Sequence, residues 1–534
     1  MTTASDRPYD VTIVMAPKWD VREPWTAPAY ICQYLRFLGY RVQFIDYNIK
    51  LYSLCKEVGF EDLWKSSAYH QTWHRGGFNF LSGLIDLDEI QGQVVGFSCT
   101  NTNRLFSLHL ARLIRERYPN RKIILGGHDL YFEIDVAGVA NPWADAICKG
   151  EGEHTIRDVM ARGFNDLENV PGLYLPHNGG WRLTSDRPLI RDLDEIPWPT
   201  FEEVDMAPYE VPDLPLMASR GCIGRCVFCN DRIRTPKFRS RSATNQVDEL
   251  QYLKERYDTD FFIYNDPLMN GDLRIMEEKA DEILRRGLKV KYGGNVMVRP
   301  QMPKDLFVKL RKSGLTVAIM GIESGSPTTL KGMQKLHTRE EASAFLRNCH
   351  EAGMRVEINM IVGFPTETEE HFQETLSFLR ENREYIDCMV SAATFNVAFS
   401  DLWNRLDEFG VVTHVESMHN SWHTKDMKNT LDVRLDRLKR IVDTAADLGI
   451  ANVRTDYEIE EGRLPDTKRF LDAYMTYWRN KADCSADERA SALAHGRAMR
   501  YNLLRRTAVS WLDRVGLLQQ AVSLRRTLLK AVSR

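Results

Sequence analysis

Short unbroken apolar runs punctuate the first third of the chain, and between them apolar residues recur at three- and four-residue steps. VTIVMA at residues 11–16 is the first run, followed by Ala29 to Gly39 with Ile31, Tyr34, Leu35 and Leu38 at helical spacing, then a second run at Val42 to Ile45. The runs Val94 to Ser98 and Lys122 to Leu125 flank a second amphipathic segment, Leu105 to Tyr118, and the short run Ala146 to Cys148 leads into GEGE. Strand alternating with helix predicts parallel βαβ units, so residues 1–185 read as a doubly wound, Rossmann-like α/β domain. Ligands of such domains lie over the carboxyl ends of the strands.

From Arg187 the pattern breaks. RPLIRDLDEIPWPTFEEVDM carries Pro188, Pro197 and Pro199 without periodicity, and residues 186–212 read as a linker or strap. A second series follows, with strands expected at 214–219, 261–265, 289–292, 317–322, 356–362 and 389–395 and helical patterns between most of them. Six such units over residues 213–425 predict a partial (β/α)6 barrel, whose chemistry sits on loops at the strands' carboxyl ends. Residues 426–534 read as a helical C-terminal region.

Composition narrows the class. Hydrophobic residues at 43% and charged residues at 27% describe a folded globular protein rather than a disordered one. Lys and Arg number 71 against 74 Asp and Glu, a net charge of -3, which argues against wholesale nucleic-acid binding. No segment approaches the length of an apolar membrane span, and MTTASDRPYDVTIV lacks a signal peptide's apolar core, so the cytoplasm is the expected compartment.

Seven of the ten cysteines are scattered, whereas Cys222, Cys226 and Cys229 share the stretch SRGCIGRCVFCNDR directly after the first strand of the second series. Zinc structural sites want four closed ligands, and no fourth Cys or His lies nearby. Three thiolates suit a four-iron, four-sulfur ([4Fe-4S]) cluster that leaves one iron open to a substrate or cofactor, which makes the site catalytic.

This signature, including the aromatic Phe228 before the last cysteine, resembles that of the radical S-adenosylmethionine (SAM) superfamily, and the likeness extends through the six-strand pattern. The resemblance implies that SAM chelates the open iron and is cleaved to a deoxyadenosyl radical that abstracts hydrogen from unactivated carbon. It also implies SAM-binding roles for Asp266 in YNDPLM, for Glu323 and Ser324 in MGIESGS, for Gly363 and Pro365 in IVGFPTET, and for Arg299. Carboxylates suit ribose hydroxyls because they accept two hydrogen bonds, and a glycine lets backbone approach adenine. The same residues also fit ordinary strand ends and caps.

A doubly wound domain, then DLDEIPWP, then the cysteine signature resembles the cobalamin-binding subgroup of that superfamily over about the first 425 residues. On that resemblance Gly126, Gly127 and His128 in ILGGHDLYF, Gly150, Glu151, Gly152 and Glu153 in CKGEGEHTI, and Ser98, Thr100 and Asn101 in SCTNTN belong to the cobalamin loops. The D-x-H-x-x-G motif that supplies a histidine to cobalt in many cobalamin proteins is absent from the sequence. His128 is a candidate ligand, although GGH is more simply a loop.

The subgroup's chemistry implies a methyltransferase acting on carbon, or phosphinate phosphorus, of a small-molecule or natural-product substrate, with an external flavodoxin- or ferredoxin-like electron donor. The alternative is a non-methylating cyclisation, rearrangement or oxidation. Near the end, His419, Trp422 and His423 suit either substrate positioning or a loop packed on the barrel. Leu504, Ala508, Trp511, Val515, Leu518 and Val522 form one face of a basic helix that covers a core or touches an anionic membrane surface.

Overall fold

The computed structural model describes residues 8–57, 64, 81–100, 102–127, 143–211, 213–397, 400–413, 422–452 and 490. Asn101, His128, His419 and the basic helix beyond residue 500 lie outside these residues. Two compact units divide the chain, one of residues 1–49 and 87–461, the other of residues 50–86 and 462–534. Within the second, Tyr52 meets Trp64 edge to face at 5.6 Å between ring centres.

In the first unit every residue of β1 (Val11–Met15) is buried, as a strand covered on both faces requires. It pairs in parallel with β2 (Val42–Asp46) on one side and β3 (Val94–Ser98) on the other, and β4 (Lys122–Gly126) and β5 (Ala146–Cys148) continue the sheet. Chain connections leave β1 in opposite directions, so the topological switch point lies at β1 and β3. The connecting helices α1 (Thr26–Phe37), α2 (Tyr47–Glu57), α3 (Arg104–Arg117) and α4 (Gly152–Ala161) follow β1, β2, β3 and β5. An antiparallel hairpin, β6 (Leu173–His177) and β7 (Gly180–Leu183), closes the edge. Its turn places Asn178 and Gly179 at φ 49° and 77°, the left-handed pair that a two-residue hairpin demands.

The second sheet is parallel throughout. Its order is β18, β15, β14, β13, β12, β11, β8, with β8 Leu214–Leu216, β11 Phe261–Tyr264, β12 Lys291–Val296, β13 Leu315–Glu323, β14 Arg355–Val362, β15 Cys388–Thr394 and β18 Ala451–Asn452. All six expected strands are present. The third runs further than the apolar pattern suggested because it contains Gly293 and Gly294, and a Cβ at Gly293 would stand 2.8 Å from Val317 Cβ on the neighbouring strand. Beyond residue 425, α12 (Leu431–Asp447) buries Leu438, Ile441 and Ala445 in the core of this sheet, and β18 adds a seventh strand.

Residues 186–211 pack as a strap. Ile190, Leu193 and Ile196 cluster with Tyr30 and Tyr34 of α1, Tyr209 donates to Asp46 (2.7 Å), and Arg36 pairs with Glu203 (2.5 Å). A second tie joins the sheets directly: Arg241 donates to Glu249 (2.5 Å) and to the Tyr30 hydroxyl (3.1 Å), which donates to Met217 O (3.0 Å). Arg241 and Glu249 are both fully buried, so neither has water to fall back on.

Arg241→Ala therefore leaves Glu249 as a buried unpaired charge and is expected to cost about 3–5 kcal/mol in denaturant unfolding. The double substitution Arg241→Met, Glu249→Leu recovers most of that loss. A single-variant cost under about 1 kcal/mol contradicts this reading.

Candidate functional site

The cysteine loop leaves β8 through β9 (Ser219–Arg220), which pairs with β10 (Arg239–Ser240). Between β9 and Cys222 stands Gly221, at φ 79°; a Cβ there would lie 2.5 Å from Lys237 O and 2.7 Å from Thr235 O, so only glycine fits. Asp266 fixes the base of the loop from below, accepting from Ala218 N (2.8 Å) and Ser219 Oγ (2.8 Å).

Cys222, Cys226 and Cys229 are half-buried thiols of one loop. Gly224 N donates to Cys222 Sγ (3.2 Å), and a Cβ on Gly224 would reach 3.3 Å from Cys222 Sγ and 3.8 Å from Cys226 Sγ. Among the described residues no group of three or more His, Cys, Asp or Glu converges as a single-ion site requires. Three thiols of one loop, with Gly224 beside two of them, suit an iron-sulfur cube, in which each cysteine binds a different iron. Burial pushes the Cys229 thiol up to about 12 and raises that of Cys222, so their thiolates need positive charge beside them.

One such charge is Lys335, which sequence reasoning missed. Its side chain is only 8% exposed, donates to Gly321 O (2.6 Å) and pairs with Glu323 (3.5 Å). Burial opposes its charged form, and Glu323 together with the Cys226 and Cys229 sulfurs outweighs burial, raising its pKa. Glu323 ends β13 at φ 68°, and burial raises its carboxyl. Two other overlooked groups are buried His337, both of whose ring nitrogens lack a hydrogen-bond partner, and Thr394 Oγ1 at the end of β15, which also lacks one. Burial holds His337 down at about 3, hence neutral. No local motif marks any of the three.

Several expected ligand contacts are instead occupied by the protein. Ser324 Oγ bonds Thr375 Oγ1 (2.9 Å) and accepts from Ser326 N (3.1 Å). Arg299 donates to the carbonyls of Asn270 (2.8 Å) and Gly271 (3.1 Å). Gly363, expected beside adenine, makes room for Arg434: its Cβ would lie 2.3 Å from Arg434 Cγ. Its N–H donates to Glu367, its carbonyl accepts from Asn429 (3.1 Å), and Pro365 is buried beside it. The Arg434 guanidinium lies 3.7 Å from the Trp422 ring centre, and Trp422 Nε1 donates to Phe395 O (3.0 Å), so Trp422 packs on the barrel. Phe228 joins the same cluster, edge to face on Phe395 at 6.1 Å.

A cavity of about 450 Å³ lies between the carboxyl ends of the two sheets. Ser98, Gly126, Gly127, Gly150 and Gly152 form its wall on the first sheet; Arg220, Asp231, Asn265 and Asp266 line the opposite wall. Gly150 (φ 78°) has no atom within 4 Å of a would-be Cβ, which leaves that wall flat, whereas Gly127 (φ 122°) is closed against Cys99 O. Thr100 turns inward, its N–H donating to Asn103 Oδ1 (2.7 Å). Cys148 also lines the cavity, and burial pushes its thiol up to about 12, so it stays protonated. Glu151 and Glu153 border the cavity too, but their carboxylates are engaged by Arg220 and Arg239.

Residues 216–379 match the Radical SAM superfamily. An uncharacterized methyltransferase of Pyrococcus horikoshii is 26% identical over 329 residues, covering 60% of this chain and 70% of that protein. The anaerobic magnesium-protoporphyrin IX monomethyl ester cyclase of Cereibacter sphaeroides is 29% identical over 322 residues, 56% of this chain and 52% of that protein, so the chain spans about half the cyclase's length. Among solved structures, the cobalamin-dependent SAM radical enzyme OxsB, bound to aqua-cobalamin and SAM, superposes with TM-score 0.64 at 16% identity, covering 96% of this chain and 84% of that one. The two chains share a fold. No helix of the described residues is long and apolar enough to cross a membrane.

Burial lifts the Asp266 carboxyl from 3.8 to about 7 against the hydrogen bonds from Ser219 and Ala218. A raised acid contributes its full stability below its unfolded pKa, near pH 4, and loses it as the pH climbs through about 7. Asp266→Asn does not titrate, so its stability relative to wild type is expected to rise by a few kcal/mol over that window and level off above it. Urea unfolding at intervals from about pH 4 to 8 measures this; a pH-independent difference contradicts it.

Proposed function

We propose that this chain, which carries a radical SAM domain at residues 216–379, is a cobalamin-dependent radical SAM methyltransferase acting on an unactivated carbon, or phosphinate phosphorus, of a small-molecule or natural-product substrate. The observation that carries the reading is the cavity shared by the two sheets, with the cysteine loop rising from one and glycine loops flooring the other. When bound, SAM on the cluster supplies a hydrogen-abstracting radical and cobalamin supplies the methyl group.

The chain's own residues divide the work between binding and shielding. Cys222, Cys226 and Cys229 hold the [4Fe-4S] cluster, and Gly224 leaves room for it. Glu323, Lys335, His337 and Thr394 offer buried polar atoms for SAM, two of these residues having polar atoms without a protein partner. Asp266 acts from behind, by holding the strand that carries the loop. Gly126, Gly127, Gly150 and Gly152, with Ser98, present flat backbone to the corrin ring. Cys148 borders this wall, its thiol raised by burial, and the sequence lacks the D-x-H-x-x-G histidine. Reduction of the cluster calls for an external flavodoxin- or ferredoxin-like donor, and the absence of a disulfide among the described cysteines suits a reducing cytoplasm. Likeness to the cyclase supports a second reading, radical cyclisation without methyl transfer, on the same site.

Anaerobic reconstitution with iron, sulfide and hydroxocobalamin, removal of unbound material, then SAM and reductant tests the proposal. The expected result is about four irons per chain, retained corrin, and both deoxyadenosine and S-adenosylhomocysteine, with the iron and both products lost in Cys226→Ala. Deoxyadenosine without S-adenosylhomocysteine selects the cyclisation reading, and deoxyadenosine without retained corrin refutes the cobalamin assignment.

A further inference from the structure

We propose that Arg220, Glu151, Glu153 and Arg239 form a clamp that positions the cavity's glycine floor against the cysteine loop, so that the two move as one body. The clamp's role in catalysis rests on the functional reading above. Its mechanical role does not.

Arg220 contributes the central fork. It pairs with Glu151 (3.1 Å) and with Glu153, while Arg239 pairs with Glu151 (2.9 Å) and donates to Ile190 O (2.5 Å) on the strap. Glu151 also accepts from Ile190 N (2.7 Å), so three separate segments of chain converge on one carboxylate. The side chains of Arg220, Glu151 and Glu153 are only 11%, 10% and 5% exposed, and two cations balance two anions. A planar guanidinium spans two carboxylates at once, which an ammonium cannot do in the same geometry.

Sequence position turns these pairs into a lever. Arg220 is separated from Cys222 only by Gly221, which the carbonyls of Thr235 and Lys237 pin in place. Glu151 stands between Gly150 and Gly152, and Glu153 sits in the first turn of α4. Displacing the guanidinium therefore displaces both the first cluster cysteine and the floor glycines. Arg220, Glu151 and Glu153 all line the cavity, so a ligand there presses on the clamp itself. The Arg241 and Glu249 pair also ties the sheets together but does not line the cavity, which makes it the control for mere loss of stability.

The test uses the full chain, with Arg220→Lys, Glu153→Gln, the charge swap Arg220→Glu with Glu153→Arg, and Glu249→Gln. Hydrogen exchange without cofactors is expected to show roughly tenfold lower protection in Arg220→Lys and Glu153→Gln, jointly in the segments around residues 147–160 and 217–230, and partial restoration in the swap. In the reconstituted protein, pulsed electron paramagnetic resonance is expected to give a narrow separation between cob(II)alamin and the reduced cluster in wild type and Glu249→Gln, and a broad one in Arg220→Lys. Should Arg220→Lys fail to fold, Glu153→Gln keeps Arg220 paired with Glu151 and decides the question. Lost protection in one segment alone, or an equal joint loss in Glu249→Gln, overturns the clamp. A wild type that retains no corrin sinks the functional reading, and exchange still decides the clamp.

Discussion

The two large sheets of this chain meet across buried charge. Moving Arg220, Glu151 and Glu153 out of water is costly, and only close, multiply bonded pairing offsets it. That constraint admits little variation in relative position: sliding one sheet against the other breaks bonds that water cannot replace. A cavity bounded by both sheets thus has a defined width, and the groups on its two walls keep a defined separation.

The site reads as a division between backbone and side chain. On the first sheet, glycines at the strand ends present a surface without side chains, and the adjoining polar groups turn inward, as Thr100 does toward Asn103. On the second, one loop carries three thiols, two of them beside Gly224, while Lys335 and Glu323 bring opposite charges to the end of β13. Behind this layer, Asp266, Arg299 and Arg434 are spent on structure, each bonding backbone that would otherwise be free to shift. A glycine wall facing one that bears Arg220, Asp231, Asn265 and Asp266, with Gly221 leading straight into the cysteine loop, suits a planar cofactor set beside a reactive cluster.

Much of this was legible in the sequence wherever the signal is local. Strands covered on both faces read as apolar runs, and a strand is present at each of the eleven runs expected to form one. The cysteine spacing is local because one loop supplies all three thiols. The hairpin at 173–183 was overlooked although Asn178 and Gly179 announce it, since its strands are half exposed. Long-range partnerships were not legible. Nothing in the sequence around Glu151 and Glu153 shows that Arg220, 69 and 67 residues away in the chain, pairs with them. Gly363 looks like an adenine contact until Arg434 fills the space beside it. Lys335 and His337 belong to no motif, and only the fold brings Lys335 to Glu323 and near the thiols.

The most direct test of the account is an anaerobic crystal structure of the chain reconstituted with hydroxocobalamin, with diffraction collected on both sides of the cobalt absorption edge. The account predicts one cobalt peak in the cavity, between the Gly126, Gly127 and Gly150 wall and Arg220, and iron peaks at Cys222, Cys226 and Cys229. Iron at the cysteines with cobalt absent from the cavity, or bound elsewhere, contradicts it.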